Sequence, residues 1–293
     1  MLEIIESPVS ASDWCASQRA QGLHVGFVPT MGALHAGHQA LIERSLDEND
    51  VTCASIFVNP LQFNDPDDYE TYPRQLDSDY RILEELGCDM VFSGTSRDMF
   101  PEASSLKEVE ILDPGPYAVG LEGDYRPGHL EGVCTVVDRL FRFVGECRAY
   151  FGLKDYQQLL VVQHLAESLG YPQVIACETV RENSGLALSS RNRLLSDADK
   201  TAAKNIFRAL IEVKKMWNSG IRDSQTLSAA MKSFLDACSI NVEYAQVRDP
   251  RNWRANPPVG ELDRAVALIA VKVGGVRLID NLRLDQTCRP DMV

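Results

Sequence analysis

Long hydrophobic runs are missing from this 293-residue chain. No apolar stretch approaches the roughly 20 residues that a bilayer-spanning helix needs. The opening residues MLEIIESPVS also lack the basic and apolar regions of a secretory signal. These absences predict a cytoplasmic protein with no membrane partner. Cys-x-x-Cys pairs are absent too: eight cysteines, at 15, 53, 88, 134, 147, 177, 238 and 288, are scattered along the chain. That disfavours a zinc site or a disulfide framework and predicts buried free thiols. Basic residues are outnumbered, 29 Lys and Arg against 42 Asp and Glu, for a net charge of −13. A broad nucleic-acid surface is thereby disfavoured, and any anionic ligand must be met by local positive potential. Neither the Gly-Lys-Ser/Thr of a P-loop nor a GxGxxG fingerprint occurs where it would be needed.

What is present is the composition of a globular protein, 45% hydrophobic and 24% charged, at a length that predicts two domains. Residues 24–64, HVGFVPTMGALHAGHQALIERSLDENDVTCASIFVNPLQFN, carry the clearest pattern. An apolar run from Val25 to Val28 enters a turn at Pro29, Thr30, Met31 and Gly32. A helical pattern follows through Leu34, Leu41, Ile42 and Leu46. His35 and His38, spaced i, i+3, share one face of the first turn. Unpaired backbone N–H groups, the positive end of the helix dipole and two imidazoles would converge there, which suits phosphate oxygens. Residues 51–58 read as a second strand buried on both faces, so strand, helix and strand form a right-handed parallel unit. Asn59, Pro60, Leu61, Gln62 and Phe63 follow at its carboxyl end, the edge where open α/β sheets bind ligands. Taken alone, Asn-Pro is an ordinary turn.

Elsewhere the pattern predicts a helix over 10–22 with Ser10 or Ser12 as N-cap. A helix ending near Gly87 carries Asp77 and Asp79 in its first turn as caps and dipole partners. Residues 108–112 suit a short strand. Residues 113–129, crowded with Gly and Pro, suit a lid or binding loop bearing Glu122, Arg126 and His129. His129 would cap an amphipathic helix over 130–144. A strand over 149–152 then runs into Lys154, Asp155 and Gln158. A capping box explains Asp155 and Gln158. Lys154 opposes the helix dipole and makes most sense beside an anion. His24 and His164 have no motif partner. Short strands at 174–177 and 179–180 close a first domain, 1–180. The second, 181–293, shows a helix from Ser196 to Gly220, another over 224–237, and strands at 242–247, 265–273 and 276–279, the last two joined at Gly274-Gly275.

PTMGALHAGHQALI followed by FVNPLQF resembles the HxGH motif of the nucleotidylyltransferase superfamily, and within it the pantothenate synthetase family. LEGDYRPGH, FGLKDYQQ, the KMSKS-like Ser189, Ser190, Arg191 and Asn192, and VGGVRLIDN extend the resemblance over nearly the whole chain. It implies an α/β protein with a Rossmann-like parallel-sheet N-terminal domain and a smaller α+β C-terminal lid domain. The implied reaction is the ATP-dependent joining of pantoate to β-alanine through a pantoyl adenylate, in a homodimer. In the family's pattern His35, His38, Lys154, Ser189, Ser190 and Arg191 are catalytic. ATP falls to Pro29, Thr30, Met31, Gly32, His38, Asn59, Gly152, Lys154, Asp155, Val180, Leu188 and the Ser189–Arg191 loop. Pantoate falls to Met31, Gln62, Arg126, His129 and Gln158. Asp79 is placed near a magnesium ion, through water. Leu153, Ser184, Leu188 and residues 145–148 depart from the family's pattern, and they bear on the adenine pocket and loop behaviour. A nucleotidylyltransferase acting on another acceptor is the alternative, against which the Gln62 and Gln158 pair argues. A silent nucleotide-binding protein is a third reading, against which the full set of phosphate ligands argues.

Overall fold

The computed structural model describes residues 1–286, so Cys288 lies outside the described residues. Cys15, Cys53, Cys88, Cys134 and Cys177 are buried and unbridged. The chain divides into two compact units. The first is Met1–Ala118, Glu122–Leu153 and Gln157–Glu178; the second is Val119–Leu121, Lys154–Tyr156 and Thr179–Val293. Two three-residue segments, one of them carrying Lys154, are grouped with the second unit.

The first unit runs β1 (Glu3–Ile5), α1 (Pro8–Ala20), β2 (Val25–Thr30), α2 (Ala36–Glu48), β3 (Val51–Ile56), α3 (Pro66–Thr71), α4 (Leu76–Leu86), β4 (Met90–Phe92) and α5 (Ser96–Met99). It continues with α6 (Glu122–Tyr125), α7 (His129–Val144), β5 (Arg148–Gly152), α8 (Tyr156–Leu169) and β6 (Gln173–Cys177). All six strands are parallel, in the order β1-β4-β3-β2-β5-β6. Alternate residues of each strand face opposite cores. Val25, Phe27, Cys53, Met90 and Phe92 pack with Ala11, Leu130, Phe141 and Val162. Val28, Ala54, Ile56 and Val91 pack with Leu41, Ile42 and Leu83. At Gly26 the sheet and α2 touch closely, since a Cβ there would lie 2.0 Å from Ser45 Oγ.

The order reverses at β2, where successive strands extend first to one side and then to the other. Hydrogen-bonding between β2 and β5 is confined to the pairs Gly26–Arg148 and Phe27–Ala149. The two strands part beyond Phe27, so Pro29, which has no N–H, interrupts no ladder on that side. Such a parting at the carboxyl ends is where doubly wound sheets take their ligands.

Several local expectations change. β1, unpredicted, pairs with β4. The first helix is capped by Ser7, whose Oγ accepts from Ser10 N at 3.4 Å, because Pro8 suits the first helical position. Residues 108–112 are no strand: Leu112 N donates to Thr135 Oγ1 at 3.0 Å, which binds the segment to α7 rather than to a ladder. Asp77 and Asp79 make no cap at α4, whose N-cap is Gln75. His129 lies inside α7, and Gly128, at φ +84°, occupies the cap position. Residues 113–129 hold a 3-10 turn, Pro116–Ala118, and the short α6.

In the second unit, α9 (Asp197–Asn218) and α10 (Ser224–Ala237) accompany an antiparallel sheet of β7 (Asn241–Arg248), β8 (Val266–Val273) and β9 (Val276–Arg283). Ser196 caps α9, accepting from Asp199 N at 3.2 Å. Gly274 and Gly275, at φ +57° and +80°, make the tight turn that only residues tolerating positive φ allow. β9 runs four residues past its expected end because Asp280 and Asn281, though polar, are buried within it. The architecture is the Rossmann-like parallel sheet with a smaller α+β companion that the resemblance implied. Among the described residues no helix is long and apolar enough to cross a membrane.

Candidate active site

The loop after β2 delivers two histidines to the start of α2. His35 is the N-cap residue, and its Nδ1 accepts from Gly37 N at 3.1 Å. His38 Nδ1 in turn accepts from His35 N at 3.3 Å. A backbone N–H can only donate, so both Nδ1 atoms are acceptors and each ring carries its proton on Nε2. The rings lie 4.1 Å apart. A capping box built from two histidines therefore presents Nε2–H donors at the positive end of a helix, an arrangement matched to phosphoryl oxygens.

The loop is held from α4. Asp79, 1% exposed, accepts from Ala33 N at 2.9 Å and from Leu34 N at 2.8 Å, one bond to each carboxylate oxygen. Ala33 sits at φ +50°, a left-handed conformation that costs an L-residue roughly 1–2 kcal/mol. Gly32 is at φ +79°, and a Cβ there would lie 2.9 Å from Asp79 Oδ2. Asp79 thus clamps the backbone that aims the histidines. Thr30 contributes from the strand end, its Oγ1 donating to Ser55 O and accepting from Gly32 N.

A second group forms beyond β3. Asn59, 1% exposed, accepts from Leu61 N through Oδ1 at 3.0 Å. That unambiguous donor fixes the amide's orientation, so Nδ2 donates to Gln62 Oε1 at 2.8 Å and to Gly132 O at 3.0 Å. Gln62 must present its oxygen to Asn59, which turns its NH₂ outward as a donor, the polarity a carboxylate or hydroxyl oxygen requires. Asn59 thus orients Gln62, with both its amide protons engaged. His129 Nδ1 donates to Gln62 O at 2.8 Å, and Arg126 Nη2 donates to the same carbonyl at 3.4 Å while pairing with Glu122 at 3.4 Å. Both therefore support the expected acid-binding residue from behind. Gly132 permits this approach: a Cβ on it would lie 2.3 Å from Leu61 O.

Gln157, 2% exposed, ties down the Gly/Pro-rich segment by donating to Tyr117 O and accepting from Glu122 N, both at 2.9 Å. Gly132 carried no sequence signal, since it acts through packing distance, and Gln157 was marked only as part of the FGLKDYQQ motif, without a role. Gln158 is half-buried beside it, Gly152 has open space around its Cα, and Met31 is half-buried on the loop.

The remaining expected ligands lie in the second unit. Lys154 Nζ is 3.6 Å from Asp155 Oδ1. Ser189 caps the 3-10 turn Ser190–Leu194, accepting from Arg191 N at 3.3 Å. Leu188 N donates to Val180 O at 3.0 Å, and Asn192 Nδ2 holds Ala187 O at 3.0 Å.

The family profile described as pantoate-beta-alanine ligase matches residues 3–283. The chain belongs to this family. The pantothenate synthetase of Rubrobacter xylanophilus is 43% identical over 288 residues, 96% of this chain and 98% of that one. The crystal structure of pantothenate synthetase from Thermus thermophilus is similar at a TM-score of 0.84 and 38% identity, covering 96% of this chain and 99% of the other. That of the pantoate-beta-alanine ligase from Francisella tularensis, complexed with beta-gamma ATP and beta-alanine, gives 0.78 and 34%, covering 98% and 99%.

Magnesium, implied by the family resemblance, finds no protein cage here. Among the described residues no group of three or more His, Cys, Asp and Glu could hold a metal ion, and both oxygens of Asp79 already accept backbone N–H bonds.

Proposed function

We propose that this member of the pantoate-beta-alanine ligase family condenses pantoate with β-alanine at the expense of ATP, releasing AMP and pyrophosphate. The observation that carries the reading is the pair of donor sets in the first unit: two Nε2–H groups at a helix N-terminus, and the outward amide of Gln62. The first set suits a phosphoryl group and the second an organic acid.

In this reading the pantoate carboxylate attacks the α-phosphorus of ATP and pyrophosphate departs. The amine of β-alanine then attacks the carbonyl carbon of the pantoyl adenylate, AMP leaves, and the amine loses a proton. His35 and His38 donate to phosphoryl oxygens as charge builds on them. Gln62 and Gln158 hold the acid, and Met31 packs on its methyl groups. Lys154, Ser189, Ser190 and Arg191 serve as further phosphate ligands, with Arg191 supplying a guanidinium fork. Gly152, Asp155, Val180 and Leu188 contact the nucleoside. No covalent enzyme intermediate is required. A cytoplasmic location, a homodimeric state and a magnesium ion accompanying ATP belong to the same proposal.

The test is AMP and pyrophosphate release from ATP and pantoate, with and without β-alanine, for wild type and Lys154→Ala. Sustained AMP production that needs both co-substrates and is lost in the variant supports the ligase. Turnover independent of β-alanine on another acceptor would make the protein a nucleotidylyltransferase.

A further inference from the structure

We infer that Asp280 and Asn281, neighbours on β9, are positioning residues that jointly set the two phosphate-binding segments of the second unit, Lys154 and the loop 189–191. This rests on the reading of Lys154, Ser190 and Arg191 as phosphate ligands. Both residues are buried, 4% and 6% exposed, and both lie in the ladder with β8, opposite Ile269 and Leu268. Their backbones are thus fixed by the sheet, and their side chains reach away from it to two separate pieces of chain.

Asn281 Nδ2 donates to Lys154 O at 2.8 Å. The lysine lies in the short connection between β5 and α8, outside both, so its backbone has no ladder partner to fix it. Asp280 takes the fork of Arg181, with Nη1–Oδ2 at 2.6 Å and Nη2–Oδ1 at 2.9 Å, and its Oδ1 also accepts from Asn281 N at 2.8 Å. Arg181 donates further to Asn281 O and Gly185 O, and its guanidinium lies 4.2 Å from the centre of the Phe207 ring.

Arg181 belongs to a small hairpin that ends at the phosphate loop. It bridges to Ala187, while Glu182 N donates to Leu186 O at 2.9 Å and Leu188 N to Val180 O at 3.0 Å. Ser189 is the next residue. Thus one strand dipeptide holds the backbone of Lys154 with its second residue and the root of 189–191 with its first.

A buried ion pair gives little net stability over apolar residues of the same volume. What a bidentate pair does supply is a single geometry. Phosphate ligands drawn from segments far apart in sequence need such a fixed spacing, because misplacement by about 1 Å can reduce rate about a hundredfold.

Removing Asp280 would strand the buried charge of Arg181, so the decisive variant is Asn281→Ala, tested alone and with Lys154→Ala, each checked for a native urea midpoint. Asn281→Ala is expected to lower kcat about tenfold with the KM for pantoate unchanged. In the Lys154→Ala background, itself strongly impaired, the same substitution is expected to change kcat by less than about twofold, because the group it positions is gone. Asn281→Asp, which turns an acceptor toward Lys154 O, should be at least as impaired as Asn281→Ala. Equal fold losses in both backgrounds, or wild-type kcat in Asn281→Ala beside an impaired Lys154→Ala, would overturn the inference alone. Wild-type kcat in Lys154→Ala would instead remove the phosphate-ligand reading and this inference with it.

Discussion

Replacing Asp79 by Asn changes one atom in a residue that is 1% exposed, yet it should disable the enzyme. Both carboxylate oxygens accept from successive backbone N–H groups, Ala33 and Leu34. Hydrogen bonds to a charged acceptor contribute roughly 1.5–3 kcal/mol each. An asparagine keeps one of them at neutral strength and turns an NH₂ against the other N–H, so the loop loses roughly 2–4 kcal/mol of its hold. Ala33, at φ +50°, stays left-handed only because that hold outweighs the strain. When the loop relaxes, His35 and His38 lose their aim. A loss of roughly 2.7 kcal/mol in the competent arrangement corresponds to about a hundredfold in kcat. The assay is AMP formation at saturating pantoate, β-alanine and ATP, over a range of magnesium concentrations. The expected result is a kcat lowered at every magnesium concentration, with the half-activating concentration unchanged. Ala33→Gly added to Asp79→Asn should recover part of the loss, roughly 1 kcal/mol or fivefold, since glycine adopts positive φ without strain. Recovery of full kcat at high magnesium would refute the clamp and favour the metal-linked role that the resemblance assigned to Asp79.

Three further outcomes follow from the same geometry. Asn59→Asp puts an oxygen opposite Gln62 Oε1 and turns the Gln62 amide round, so the KM for pantoate should rise about tenfold or more while that for ATP holds, read from initial rates. A matched rise in the ATP KM would return Asn59 to the nucleotide. Gly132→Ala forces a methyl to within 2.3 Å of Leu61 O and should destabilise by roughly 1–3 kcal/mol, seen as a lower urea midpoint, with a weakened grip on pantoate. For pH, hydrogen bonds lower the carboxyl pKa of Asp50 (backbone N–H of His24), Asp98 (Thr95 hydroxyl) and Asp223 (Thr226 hydroxyl and N–H). A folded pKa below the unfolded one gives stability that is fully present above the unfolded value of about 3.9 and is lost as pH falls through the folded value. The urea midpoint should therefore be level from pH 7 to about 5 and drop below about 4, with a smaller drop in Asp223→Asn, which keeps the helix cap without the charge.

The chain's local chemistry was enough to determine the elements that are periodic and terminated by their own residues. The Ser196 cap, the 224–237 helix, the Gly274-Gly275 hairpin and the strand–loop–helix of 25–48 all depend on neighbours within a few positions, and all are present. The motif that begins at Pro29 likewise marked the family, because its residues are contiguous.

Tertiary structure alone decided what each of those residues faces. β1 is three residues long and exists because β4 offers an edge. Residues 108–112 have strand-like composition but found a hydroxyl on α7 instead of a partner strand. Asp79 looked like a helix cap, but its bonds run to Ala33 and Leu34, 45 or more positions away. Asn59 does make the turn that Asn-Pro suggests, accepting from Leu61 N, while its bond to Gly132 O has no local signature. Asp280 and Asn281 fell beyond the expected strand end at 279 because burial of a polar pair has no local signature; only the arrival of Arg181 and the Lys154 carbonyl explains them. A hydrogen bond between distant residues is decided by where the packed sheet and helices bring two backbones together, and no periodicity or spacing in one segment records the position of the other.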